Sequence, residues 1–272
     1  MAGKHRLDWV IYAGALALVI GGSFLLREDM DAPSVAEPEG PLLGPITPFD
    51  PAVTVNAPET PFQPQAGTAF SIGSDGRWLT ARHVVEGCRQ PAVLVGEGQA
   101  VAVDVRLAPN ADVAVLLSEG GSPGLPLALD HPLRSGQRGY HPGFPQGRAG
   151  EVTSRLLGRE TLRVRGRGER DEPVLAWAEV GRSAHLEGAL SGLSGAPVLD
   201  GQGQVVAITL AESPRRGRLY TTAPESLGPA IRGLQHPEGR GPGGLVSIED
   251  YGRVSDRLRR TLRVAQVLCL SA

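Results

Sequence analysis

Short alternations of apolar and polar residues dominate the chain from about residue 67 onwards, and they predict strands rather than long helices. The run 67–72, the Gly-Ser-Asp-Gly turn 73–76 and the run 78–80 form a hairpin pattern. Further apolar or alternating runs lie at 93–95, 101–107 and 113–117, then at 150–157, 162–165, 174–180, 196–199, 205–210 and 219–222. About a dozen such pieces, parted by Gly- and Pro-rich turns, predict an all-β molecule and suit two six-stranded antiparallel barrels with a cleft between them. The stretch 120–126 marks the crossing between the halves, and 224–234 predicts a short helix. The tail 245–270 carries two periods at once. Leu258, Leu262 and Ala265 have helical spacing, whereas Leu262, Val264, Gln266, Leu268 and Leu270 alternate.

Upstream of residue 67 the pattern changes twice. Residues 9–26 contain no charge and approach the ~20 residues needed to cross a bilayer. Lys4 and Arg6 precede this run, and Glu28, Asp29 and Asp31 follow it. The reading is an uncleaved single-pass transmembrane helix with 1–8 cytoplasmic and the rest of the chain across the membrane; a cleaved signal peptide is the competing reading. Residues 27–66 carry nine prolines between Pro33 and Pro64, which forbids continuous helix and predicts an extended linker. Part of it, 52–64, is free to pack along a barrel, because Val53, Val55 and Phe62 need cover. The folded domain is then expected over 67–235, with 236–272 packed on it as a carboxy-terminal extension.

Composition narrows the chemistry. Lys plus Arg number 27 against 29 Asp plus Glu, a balance that does not call for nucleic acid as a partner. The run of Arg155, Arg159, Arg163, Arg165, Arg167 and Arg170 is interleaved with Glu160, Glu169, Asp171 and Glu172, and predicts a solvated hairpin. Two cysteines and no Cys/His cluster argue against structural zinc, and no metal or organic cofactor is implied.

The densest chemical signal is Gly192-Leu193-Ser194-Gly195-Ala196-Pro197. Gly192 permits a positive φ, and Gly195 removes side-chain bulk beside the hydroxyl. Backbone amides at Gly192 and Ser194 then suit an oxyanion hole, where negative charge develops in acyl transfer. A serine needs a base, and the base needs an orienting acid. His83, in Thr80-Ala81-Arg82-His83-Val84-Val85, and Asp112, in Asp112-Val113-Ala114-Val115, supply both; Asp104 is the upstream rival for the acid. His131, His141, His185 and His236 are assigned to surface or satisfied core positions.

These segments resemble those of trypsin-like serine proteases, closest to the bacterial HtrA type, and Tyr140-His141-Pro142-Gly143-Phe144-Pro145 resembles a turn of that group. The order His83, Asp112, Ser194 is the chymotrypsin-fold order. The resemblance covers about 67–227. It implies a trypsin-like two-barrel fold and a membrane-anchored serine endopeptidase acting on protein or peptide substrates, with its catalytic domain in the periplasm or outside a bacterial inner membrane. The alternative is a catalytically silent trypsin-fold protein that binds peptides or a partner at the membrane. In that oxidising setting Cys88 and Cys269 form a candidate disulfide, the other reading being two separate thiols. The 38 residues after 234 are fewer than the PDZ domain that HtrA relatives often carry would need. Leu193 stands where digestive relatives place an activating Asp. Ala189, Ile208 and Leu210 are the expected pocket walls, and they predict a preference for small or apolar side chains.

Overall fold

Two seven-stranded sheets carry the described residues, which are 39–57, 66–166, 169–232 and 244–270 of a computed structural model. Strands are numbered along the chain. The first sheet holds β2 (Gly67–Gly73), β3 (Arg77–Thr80), β4 (Pro91–Gly96), β5 (Gln99–Ala102), β6 (Asp104–Leu107), β7 (Ala114–Leu117) and β14 (Val264–Cys269), in the order β5-β4-β14-β2-β3-β7-β6. β5 and β6 are consecutive pieces of one segment bent at the buried Val103. Its first piece pairs with β4 and its second with β7, so the sheet returns on itself. The expected single strand 101–107 is therefore two pieces joined at a corner.

The second sheet runs β1 (Ala52–Ala57), β9 (Gly150–Gly166), β10 (Arg170–Arg182), β13 (Arg218–Thr222), β12 (Val205–Ser213), β11 (Pro197–Leu199) and β8 (Arg138–Gly143), and it closes because β8 also pairs with β9. β9 is one long strand where two short ones were expected. Its near half, Gly150 to Arg155, faces β8, and its far half, Thr161 to Gly166, accepts β1 in parallel. The far half of the β9–β10 hairpin leaves the second barrel and covers the first. Leu162, Val164 and Val174 accordingly share one buried cluster with Phe70, Leu79, Val113 and Leu116. A second cluster around Trp177, Leu156, Leu175, Leu193 and Val198 fills the other barrel.

Among the described residues three α-helices punctuate the strands: α1 (Arg82–Val85), α2 (Pro224–Ala230) and α3 (Tyr251–Arg260). The tail holds a helix and then a strand, but not on the helical spacing expected. Only Leu258 of Leu258, Leu262 and Ala265 lies in α3, and Leu262 turns past its end at φ +53°. Ala265 belongs to β14, where Val264, Ala265 and Val267 are buried on both faces. This tail does more than rest on a barrel, because β14 is inserted between β2 and β4 and completes the first sheet. Of the Pro-rich linker, 39–57 lies along the second sheet through β1 and the Gly40 and Leu43 amides, which donate to Ser135 and Leu133 carbonyls at 2.6 and 2.8 Å. The segment 9–26, together with Phe62, Arg167 and His236, falls outside the described residues. Among those described, no helix is long and apolar enough to cross a membrane.

Candidate active site

The hairpin β2–β3 ends at Thr80, and α1, which begins two residues later, carries His83 with its side chain one third exposed. Asp112 lies in the turn before β7 and is 3% exposed. Its carboxylate takes two hydrogen bonds from one residue: His83 N–H donates to Oδ1 at 2.9 Å, and His83 Nδ1 lies 2.8 Å from Oδ2. The paired contacts fix the ring plane and assign the proton to Nδ1, leaving Nε2 as the basic nitrogen. Asp104 is exposed on β6 and takes no part.

Two residues of the supposedly solvated hairpin belong to this cluster, which corrects that expectation. Arg170, at the start of β10, lies 2.8 Å from Asp112 Oδ2 and 3.3 Å from Glu172 Oε2. Glu172 is fully buried, and both its oxygens accept the Asp112 N–H, at 3.1 and 3.0 Å. Charge pattern alone could not find them, because the outward tilt of a hairpin is decided by what its far end covers.

The electrostatics follow from these contacts. Burial works against ionised Asp112, but the His83 ring, its hydrogen bonds and Arg170 win and hold the carboxyl down to about 2. Burial also opposes a charged His83, yet Asp112 outweighs it and raises the imidazole above its ordinary value. Glu172 is pushed up to about 7, by burial first and the Asp112 charge second.

Ser194 approaches from the second barrel. Its carbonyl accepts from Thr68 N–H at 2.8 Å, and the Thr68 hydroxyl donates to the Gly192 carbonyl at 2.8 Å, so β2 grips the loop at both residues. Gly195 has φ +89°, and a Cβ there would sit 2.0 Å from the Thr68 carbonyl oxygen and 3.1 Å from Ala81 N. Only glycine lets Ser194 come this close to the end of β3. Gly192 has φ +97°, and a Cβ on it would meet the Phe144 carbonyl at 2.6 Å. The Ser194 hydroxyl donates to the Leu210 carbonyl at 3.1 Å.

Alternate amides of this loop are spent and unspent. Leu193 N–H goes to Leu190 O and Gly195 N–H to Thr209 O, whereas those of Gly192 and Ser194 donate to no other described residue. The Ser191 carbonyl is taken by the Gln146 N–H. Across a trans peptide, Gly192 N–H must then point the opposite way. Gln146 holds φ +56°, and its Nε2 also donates to the Glu187 and Ala189 carbonyls, at 2.5 and 2.7 Å. Thr68 and Gln146 were not singled out from sequence, since their work is done through backbone approaches that leave no local pattern.

A cavity of about 590 Å³ opens beside Ser194. From β12 it takes Thr209, Ala211 and Glu212. Of the expected pocket walls, Ile208 and Leu210 are buried in the core, and the Ala189 carbonyl is bound by Gln146. Behind the cavity the buried His141 sits between the Thr209 and Ser154 hydroxyls, at 2.9 and 2.7 Å, and burial lowers it to about 3, so it stays neutral. Cys88 and Cys269 are joined, with Cα atoms 5.7 Å apart. No group of three or more His, Cys, Asp or Glu able to hold a metal occurs among the described residues.

The family model for the trypsin-like peptidase domain matches residues 67–208. The chain belongs to that family. It is a serine protease of the trypsin-like kind. The Rv3671c protease of M. tuberculosis in its active form is similar at 20% identity and TM-score 0.51, over 75% of this chain and 99% of that one. The inactive form is similar at 22% identity and TM-score 0.51, over 63% and 88%. An HtrA-type protease, AlgW with a decapeptide, is similar at 19% identity and TM-score 0.46, over 64% and 53%. At these identities the two Rv3671c structures speak for the fold alone. No curated protein matches the chain.

Proposed function

We propose that this protease hydrolyses peptide bonds through His83, Asp112 and Ser194 by way of an acyl-enzyme. The observation that carries the reading is the pair of unspent amides at Gly192 and Ser194, flanking a serine packed against the strand that leads to His83. In this scheme Ser194 Oγ turns from the Leu210 carbonyl and loses its proton to His83 Nε2 as it bonds to the substrate carbonyl carbon. The oxygen, now negative, is held by the two amides. Collapse breaks the C–N bond, and the Nε2 proton goes to the leaving amine. Water then adds to the acyl carbon, gives its proton to His83, and frees the acid as Oγ recovers that proton. Asp112 stabilises the imidazolium at each stage.

One observation favours a second reading, a silent peptide-binding module: the Ser194 hydroxyl is bonded to Leu210. Hydrolysis of a peptide library, followed by mass spectrometry, separates the two. The enzyme reading predicts cleavage that disappears in Ser194→Ala; intact peptides with folded wild-type protein support the module. The uncharged run 9–26 supports the further proposal of a membrane anchor, with the protease domain on the periplasmic or outer face of a bacterial inner membrane.

A further inference from the structure

The cavity beside Ser194 is walled mainly by apolar groups and backbone, including Leu190, Ala211 and Leu219, and Glu212 is its one ionisable side chain among the described residues. Glu212 lies near the end of β12, two residues past the apolar segment from which an uncharged pocket was expected. Its Oε1 accepts the Leu190 N–H at 2.6 Å, which ties the carboxylate to the loop that carries Ser194. No hydrogen bond to Oε2 is present among the described residues.

The charged groups facing Glu212 are Arg182 and Glu179, both on β10. Arg182 is already committed: it meets both Glu179 oxygens, at 2.5 and 2.6 Å, and donates to the Gly188 carbonyl at 2.7 Å. Neither Arg182 nor Glu179 lines the cavity, so Glu212 is the charge that faces it among the described residues. Burial comes first among the influences on Glu212 and raises its pKa, while the Leu190 hydrogen bond and the Arg182 charge act against that rise and Glu179 adds to it.

We infer that Glu212 makes this cavity a pocket for a positively charged side chain, so that the protease cleaves after Arg or Lys. The inference rests on the serine-protease reading and replaces the apolar preference expected from sequence. An incoming guanidinium or ammonium supplies the cation that Oε2 lacks, while its methylene stem lies along Leu190, Ala211 and Leu219. A partly desolvated pair of this kind discriminates strongly, because removing one partner strands the other.

Matched peptides with Arg, Lys, Ala, Val or Leu before the scissile bond test this, alongside Ser194 labelling by a fluorophosphonate with and without benzamidine as a cationic probe. Wild-type protein is expected to favour Arg and Lys, and benzamidine to slow labelling. Glu212→Gln keeps an acceptor for Leu190 N–H but loses the charge. It should lower the Arg-to-Leu cleavage ratio by roughly 10²-fold and abolish benzamidine protection. The ratio cancels any partial loss of folded protein. A labelled enzyme that prefers Ala, Val or Leu, or that benzamidine does not protect, overturns the role of Glu212 and leaves the protease reading intact. A folded wild-type protein that neither labels nor cleaves overturns both.

Discussion

His83 is governed by three charged neighbours, and each leaves a mark on pH dependence. Asp112 and Glu172 favour the imidazolium, and Arg170 opposes it. The net shift is upward from 6.5, so the free base needed for attack is present only above that raised value. kcat/KM should therefore rise with pH along a limb displaced to the alkaline side of an ordinary histidine. Arg170→Met removes the opposing charge, and the His83 pKa should climb further. The limb then moves to higher pH, and the loss of rate is greater at about pH 6.5 than at pH 9. Rate profiles of the two proteins check this; an unmoved limb with uniformly lower rates would assign Arg170 to folding alone. Glu212 shows the same lesson from the pocket side. It follows an apolar run in sequence, and only the path of β12 brings it to the cavity.

At the scale of elements, β14 and the Cys88–Cys269 link join the end of the chain to the segment just after α1. Cys269 is in register with Pro91 of β4, and the link spans a separation of 181 residues. Cross-linking residues that far apart restricts the unfolded chain, and removing such a link typically costs about 2 to 5 kcal/mol. Cys88→Ser with Cys269→Ser should lower the denaturant midpoint accordingly, whereas an unchanged midpoint would mean that β14 is held by strand pairing alone. Much of this level was legible beforehand. The β2–β3 hairpin and the apolar runs follow from local patterning along the chain. What was not legible depends on long-range placement. The bend at Val103, the insertion of β14 between β2 and β4, and the fusion of 150–157 with 162–165 into β9 are decided by partners far along the chain. His83, Asp112 and Ser194, the proposed triad, could be singled out because each sits in a short motif. Thr68, Gln146, Arg170 and Glu172 were not, because each acts across a gap that no window of sequence spans.

For the whole molecule, the proposed catalysis depends on joining the two sheets: His83 and Asp112 lie on connections between strands of the first, and Ser194 on a loop leading into the second. Thr68 and the far half of the β9–β10 hairpin make that joint. The proposed anchor adds a direction, with Lys4 and Arg6 inside and the protease domain across the membrane. An export-dependent reporter fused after residue 272 should be active and a cytoplasm-dependent one silent; the reverse would overturn that orientation. The central claim is that these groups work as one nucleophilic unit, and labelling by a fluorophosphonate measures it without knowledge of any substrate. Folded wild-type protein should form a covalent adduct at Ser194, Ser194→Ala none, and His83→Ala an adduct only at a rate reduced by roughly 10³-fold or more. A wild-type protein that stays unlabelled, or a His83→Ala variant that labels as fast as wild type, would contradict the account.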